Sequence, residues 1–281
     1  MIKLAVIGSG LMGRGIALAA AQNQIEVNLY DISETSLQNA KSYMKDELEK
    51  AVVRNIISSE EIALILQRVQ TYTNLDQAVA EVELVIEAIP EIIDLKIELF
   101  KQLDTLCKPS TVLATNTSTM SPTEIAAQTS RADRCIAMHF FNPAHKMKLI
   151  EIVRGLDTSD ETVLFAKRVG MQMKKETVEV NEFPGFVTSR MNCLIGNEAM
   201  NMLMEGVASA EDIDKALKLG LNHPMGPLAL ADLVGLDTRL KNMEYLYKTL
   251  GEKYRPCPLL IKYVKAGRLG KKSGAGFYVY E

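Results

Sequence analysis

The strongest constraint on this chain is its opening. An apolar run, Leu4 to Ile7, leads directly into Gly8-Ser9-Gly10-Leu11-Met12-Gly13, and an apolar helical pattern, Ile16 to Gln22, follows. A strand that turns through glycines into a helix leaves the first amides of that helix without partners, which makes a site for a phosphate anion. Gly8 permits the tight turn, Gly10 lets a pyrophosphate approach the backbone, and Gly13 lets helix and strand pack closely, while Leu11 and Met12 supply amides at the helix start. A second predicted strand, Glu26 to Tyr30, ends at Asp31, eighteen residues beyond Gly13. An acidic side chain there accepts hydrogen bonds from the adenosine ribose and repels a 2'-phosphate, so the expected cofactor is NAD rather than NADP. Asp31 could also act as a turn residue or helix cap before Ser33. FAD uses the same glycine fingerprint, but no second nucleotide signature follows.

The rhythm continues to about residue 183. Apolar runs at Leu84 to Glu87, Thr111 to Ala114, Cys135 to His139 and Leu149 to Val153 alternate with longer amphipathic segments. This pattern implies a mostly parallel sheet with helices on both faces. From Glu34 to Arg68 a long charged pattern, broken at Asn55 to Ser59, predicts a helical hairpin projecting from the sheet. After Phe183-Pro184-Gly185 the strand pattern stops. Pro184 suits a helix start, and Phe186 to Met204 is apolar on most faces, so this helix is expected to be buried in its own domain or against a partner subunit. Ser209-Ala210-Glu211-Asp212 reads as the capped start of a further helix ending at Gly220. With 281 residues there is length for two cores. The expected architecture is α/β: a Rossmann-like doubly wound sheet with a helical-hairpin insertion over residues 1–183, then an all-α domain over 184–281.

Composition narrows the function. A net charge of -3 gives no general attraction to nucleic acid or to an anionic membrane. No stretch approaches the length of a membrane helix, and the N-terminus runs straight into the glycine loop rather than a cleavable leader. Four scattered cysteines, Cys107, Cys135, Cys193 and Cys257, form neither a metal-binding spacing nor a disulfide framework. A reducing, cytoplasmic location is expected, with no metal.

Hydride transfer between an alcohol and NAD needs a base for the hydroxyl proton and a group to hold the oxygen. Of the three histidines, His139 ends a predicted strand, where open parallel sheets place their ligands. Glu151 lies twelve residues on, in an apolar run that would bury it, and an imidazole is a suitable partner for a buried carboxylate. The alternatives are a structural histidine and a salt bridge from Glu151 to Lys148 or Arg154. His145 reads as a surface-turn histidine, and the fourteen methionines as adaptable core or interface filler.

Several segments carry a resemblance. Asn116-Thr117-Ser118, His139-Phe140-Phe141-Asn142-Pro143, Met147 to Glu151, Pro184-Gly185-Phe186-Val187, His223-Pro224-Met225-Gly226-Pro227 and Gly270 to Tyr278 look like the signature blocks of the 3-hydroxyacyl-CoA dehydrogenase family. Length and sequence together resemble its bacterial 3-hydroxybutyryl-CoA branch. The resemblance implies NAD-linked interconversion of an L-3-hydroxyacyl-CoA and its 3-ketoacyl-CoA, in a homodimer built through the helical domain, with the site in a cleft between domains. It implies His139 as general base, Glu151 as its partner and Ser118 as the ligand of the substrate oxygen. It also implies Asn142 near the nicotinamide and the substrate carbonyl, and Glu91, Lys96 and Lys272 as cofactor contacts. Asn142 is also an ordinary turn residue before proline, and Glu91 and Lys96 could simply begin a solvated helix. Lys50 and Arg54 on the insertion are candidates for coenzyme A phosphates, though a charged helix with interspersed acids is commonly just solvated.

One block departs from the family pattern. Where the family has asparagine before the arginine, this chain has Ser189, which either reaches the substrate itself, directly or through a water, or cedes the contact to Asn192 three residues on. Two rival readings are a dehydrogenase of free 3-hydroxy acids, which would rely on a catalytic lysine, and a non-catalytic NAD-binding protein of the lens-crystallin kind. The Ser118, His139 and Glu151 set argues against both.

Overall fold

Valine, isoleucine and leucine dominate the short runs of the first half, and such side chains suit a pleated backbone covered on both faces. In the computed structural model, which describes residues 2–280, these runs become strands of one eight-stranded sheet. The order along the chain is Lys3–Ile7 (β1), Leu11–Gln22 (α1), Glu26–Tyr30 (β2), Glu34–Val53 (α2), Ser59–Gln67 (α3), Val69–Tyr72 (β3), Leu75–Val79 (α4) and Leu84–Glu87 (β4). It continues with Ile93–Leu106 (α5), Val112–Thr115 (β5), Pro122–Ala126 (α6), Cys135–Phe140 (β6), Leu149–Arg154 (β7), Asp160–Gln172 (α7) and Glu176–Asn181 (β8).

The strands lie in the order β3-β2-β1-β4-β5-β6-β7-β8. Every neighbouring pair is parallel except β6 and β7, which run antiparallel. The winding reverses between β1 and β4, and the crevice beyond the carboxyl ends at such a switch point is where this architecture holds its ligands. Alternation along the strands divides the core. Val6, Leu29, Ile86, Met138 and Ile152 face one way with Ile16 and Val169, while Ala5, Ile7, Val85 and Leu113 face the other with Phe100 and Leu103.

Strands β3 and β8 escape a search for apolar runs. Both are edge strands with polar residues interspersed, and β8 keeps only Thr177 and Val180 partly covered. The insertion forms the expected pair α2 and α3, and Glu61 accepts from the amide of Ser58 to close the start of α3. It does not stand free of the sheet. Leu37, Ala40, Met44 and Leu48, spaced three and four apart, bury into the same core as β1 and β2.

Contacts divide the chain into residues 1–182 and 183–281. The second unit holds Thr188–Met204 (α8), Ala210–Gly220 (α9), Pro227–Val234 (α10), Leu236–Leu250 (α11) and Pro258–Lys265 (α12) around Cys193, Met200, Leu228, Leu236, Met243 and Leu246. α8 begins at Thr188, not at Pro184 or Phe186. Gly185 and Phe186 both have left-handed backbones, with φ of 77° and 51°, and a right-handed helix cannot include them. Nor is α8 buried all round: Cys193, Gly196, Asn197 and Met200 face the core, whereas Met191 and Met204 are exposed.

Beyond the short 3-10 turn Lys271–Ser273, the described residues are not helical. Short bridges join Gly270 to Ala275 and Ala275 to Val279. This turn hangs on Asp232, fully buried in α10, whose carboxylate accepts from the amides of Phe277 (3.0 Å) and Tyr278 (2.9 Å) and from the hydroxyl of Tyr280 (3.0 Å). Replacing it by alanine strands three donors at once. Asp232→Ala is expected to lower the stability of the helical unit by about 3 kcal/mol. Urea unfolding followed by circular dichroism measures this, and an unchanged midpoint would contradict the role given to Asp232.

Candidate active site

The glycine loop sits at the end of β1 with the geometry a pyrophosphate requires. Gly8 has φ of 98°, and a Cβ there would stand 2.8 Å from the carbonyl oxygen of Ala88. A Cβ on Gly13 would collide with the Gly8 carbonyl, so both positions demand glycine. Above Gly10, by contrast, nothing lies within 4 Å of a Cβ position, and no side chain caps the start of α1. Open space over a bare helix N-terminus fits the pyrophosphate of a dinucleotide. Leu11 and Met12 open this first turn, as expected.

Asp31, half-buried at the end of β2, accepts from both the amide and the hydroxyl of Ser9 at 2.8 Å through Oδ2, and from the amide of Ser33 at 3.0 Å through Oδ1. It is therefore a turn residue, but the cap of α2 is Ser33, whose side chain accepts from Ser36. A carboxylate offers about four acceptor sites, so Asp31 retains capacity for a ribose hydroxyl.

On the neighbouring strands a buried network reaches Ser118. Glu87, at the end of β4, is fully buried; Lys96 of α5 donates to its Oε1 at 2.6 Å and Thr115 of β5 to its Oε2 at 2.6 Å. Lys96 is only 1% exposed and also lies 3.1 Å from Glu91 Oε2. Glu91 Oε1 in turn accepts from the amide of Ser118 at 3.0 Å and from the hydroxyl of Thr117. Burial pushes the Glu87 carboxyl above its ordinary value, opposed by the Lys96 ammonium beside it. Lys96 and Glu91 thus do more than begin a solvated helix. Glu87 was not singled out from the sequence, although a carboxylate closing the apolar run Leu84-Val85-Ile86 is a visible signal.

His139 and Glu151 meet through the antiparallel pairing within the eight-stranded sheet, where they stand directly opposite each other on β6 and β7. Nδ1 of His139 lies 2.7 Å from Oε2 of Glu151, both side chains are buried, and the imidazole packs 4.5 Å from the ring of Phe141. A carboxylate at that distance takes the Nδ1 proton as a hydrogen bond and places the basic lone pair on Nε2. Arg154, a rival partner for Glu151 in the sequence, pairs with Asp160 and Glu179. Asn116 ties the pair to the Ser118 loop, because its Oδ1 accepts from the amide of Phe140 at 2.9 Å.

Asn142 is exposed just beyond β6, at a cis bond to Pro143. Lys50 and Arg54 are exposed at the end of α2, with Lys50 held to Glu47 at 2.7 Å. In the second unit, Ser189 and Asn192 are half-buried in the first turns of α8. Lys272 is bound to Asp237 at 2.6 Å; burial works against that carboxylate, but the Lys272 ammonium keeps its pKa below the ordinary value. His145 is not the surface-turn residue its sequence suggests. Its side chain is 5% exposed, with Nε2 3.0 Å from Glu47 Oε2.

The doubly wound sheet and its glycine loop define a dinucleotide-binding protein. Residues 3–183 match the NAD binding domain of 3-hydroxyacyl-CoA dehydrogenase and residues 185–280 its C-terminal domain. The probable 3-hydroxybutyryl-CoA dehydrogenase of Bacillus subtilis strain 168 is 49% identical over 99% of this chain and 97% of its own length. The 3-hydroxybutyryl-CoA dehydrogenase of Clostridioides difficile is 44% identical over 99% of each. The crystal structure of (S)-3-hydroxybutyryl-CoA dehydrogenase from Ralstonia eutropha superposes with a TM-score of 0.95 at 43% identity, covering 99% of both chains. The chain belongs to the 3-hydroxyacyl-CoA dehydrogenase family.

Asp31 directly follows β2, at the strand end where this architecture reads the adenosine ribose, and a carboxylate there repels a 2'-phosphate. The specificity constant for NADH is expected to exceed that for NADPH by at least about tenfold, equivalent to ~1.4 kcal/mol. Asp31→Ser should narrow that ratio chiefly by weakening NADH, which steady-state kinetics with both cofactors will show; equal constants in the wild type would contradict the assignment.

Proposed function

We propose that this enzyme interconverts L-3-hydroxyacyl-CoA thioesters, 3-hydroxybutyryl-CoA foremost, and their 3-ketoacyl-CoA partners, with His139 as general acid and base. The 2.7 Å pairing of His139 with buried Glu151 carries this reading. The short acyl chain rests on the relatives that carry the 3-hydroxybutyryl name. NAD, when bound, supplies the acceptor or donor of hydride. The residues that fit it are Gly8, Gly10, Leu11, Met12, Gly13 and Asp31, with Glu91, Lys96, Asn142 and Lys272 as further candidates.

In the oxidative direction Nε2 of His139 takes the proton from the substrate hydroxyl. Glu151 fixes the tautomer and stabilises the imidazolium that results, as the carboxylate does beside any catalytic imidazole. Ser118 donates a hydrogen bond to the substrate oxygen as it becomes a carbonyl, from a loop anchored to Glu91. In the reductive direction the imidazolium returns the proton to that oxygen. Lys50 and Arg54 are assigned to the coenzyme A phosphates and Ser189 to a polar contact with the substrate.

The exposed Met191 and Met204 on α8 support a homodimer formed through the helical unit. No helix among the described residues is long and apolar enough to cross a membrane. The four cysteines are unpaired and buried, which supports a reducing cytoplasmic setting.

Oxidation of NADH by acetoacetyl-CoA, followed at its absorbance maximum, tests the activity. His139→Gln preserves side-chain bulk and is expected to reduce turnover about 10²- to 10⁴-fold, and Glu151→Gln, which keeps a hydrogen bond but loses the charge, to reduce it less. Near-wild-type turnover in a folded His139→Gln protein would remove the histidine from the mechanism.

A further inference from the structure

A second polar cluster, which shares only Lys50 with the assignments above, gathers on Glu47 of α2. Its Oε1 accepts from Lys50 at 2.7 Å, and its Oε2 accepts from Lys146 at 2.6 Å and lies 3.0 Å from Nε2 of His145. The glutamate side chain is 9% exposed, whereas Lys50 is 60% and Lys146 49% exposed. The carboxylate therefore faces inward, and two ammonium groups stand in solvent on either side of it. Hydrogen bonds from Lys146, then Lys50, and then His145 bring the Glu47 carboxyl down to about 2 in spite of its burial. Burial pushes the His145 imidazole below its ordinary value, which keeps it neutral near pH 7. Glu47, Lys50 and Lys146 together make one anion and two cations, while Asp46 and Arg54 of the same segment add one charge of each sign beside Lys50.

The spacing of the two lysines is fixed from several directions. Lys146 belongs to the turn after β6, and buried Lys175 pins that turn by donating to the carbonyls of Ala144 and Met147, each at 2.7 Å. Ala144 packs against Gly15 of α1, where a Cβ would come within 3.2 Å. His145 sits edge-on to Tyr43 of α2 at 6.1 Å, and the Arg14 guanidinium covers the same tyrosine at 3.9 Å. Lys50 comes from the helix itself, and Arg54 is one turn further along it.

Each ammonium carries three donors and gives one to Glu47, so two per lysine remain for an outside acceptor. The acceptor sites of Glu47 meanwhile are filled by three donors, which blunts its repulsion of an approaching anion. We propose that Lys146 is a phosphate-contacting residue for the nucleotide end of the acyl-CoA, forming with Lys50 a two-lysine clamp whose spacing Glu47 sets. The proposal rests on the acyl-CoA reading and extends it from α2 to the turn that follows the catalytic strand. In an acidic protein, a local positive clamp is what a polyphosphate tail requires.

The test compares substrates with and without phosphates, and also measures binding alone. With the full chain, Lys146→Gln should raise KM for acetoacetyl-CoA about three- to tenfold, an effect that fades at high salt, as expected for one exposed charge contact. The N-acetylcysteamine thioester of acetoacetate, which has no phosphate, should keep its wild-type kcat/KM, and Lys146→Arg should restore the KM for the coenzyme A substrate. Calorimetric titration with coenzyme A itself should show the same loss in Lys146→Gln, with NADH affinity unchanged. An unchanged coenzyme A affinity, or equal losses with both thioesters, overturns the clamp. A wild type that binds coenzyme A through Lys146 but reduces neither thioester upholds the clamp and overturns the dehydrogenase reading.

Discussion

The antiparallel pairing of β6 with β7 is the constraint on which the candidate site depends. Had β7 run parallel like the other strands, the start of the apolar run at Leu149 would lie at the opposite edge of the sheet from His139. Reversal brings Glu151 back beside it, in register. Side chains alternate faces along a strand, so a slip of one residue would turn Glu151 towards the face occupied by Met138, Phe140, Ile150 and Ile152. Those four apolar residues fix the register by preferring their own side. The turn between the strands is held by Lys175, and the end of β6 by Asn116, which accepts from the amide of Phe140. Packing energy thus sets the distance between two polar groups that contribute little to packing themselves.

Burying charge at the neighbouring strand ends follows a related logic. Glu87 and Lys96 are removed from water, and a buried ion pair gains little net stability over well-packed apolar side chains. What the pair does provide is direction. From Glu87 one path runs through Lys96 and Glu91 to the amide of Ser118, and another through the Thr115 hydroxyl to the amide of Thr117, 3.2 Å away. Both paths end on the same short loop, so its position is determined by a network with every link satisfied rather than by loop contacts alone.

What could be read from the sequence was whatever repeats with a period or punctuates the chain. The glycine loop, the buried strands β1, β2 and β4 to β7, and the two-helix insertion each carry a local pattern, and strand-end placement brings out His139, with Glu151 as one of its candidate partners. Strands β3 and β8 carry none, because an edge strand exposes half its residues and is held by its neighbour's backbone rather than by an apolar run. The start of α8 lies later than the sequence suggests because Phe186 adopts a left-handed backbone that a non-glycine residue rarely takes. His145 reads as a turn histidine until Glu47, ninety-eight positions away in sequence, is brought against it. Glu87, Asn116 and Glu47 act through other residues, and such roles exist only in three dimensions.

Asp31 shows how recognition and folding are joined at one side chain. The carboxylate assigned above to the ribose accepts two hydrogen bonds from Ser9, inside the glycine loop, and one from Ser33 at the entry to α2. Its orientation is therefore set by the fold itself, and a preset side chain lowers the entropy a ligand would lose on binding there. The same economy means that removing the charge to admit a phosphorylated cofactor would also loosen the loop that receives the pyrophosphate. A change of cofactor in this fold needs a new donor to the 2'-phosphate and a separate replacement for the acceptors of Ser9, because one substitution at position 31 cannot supply both.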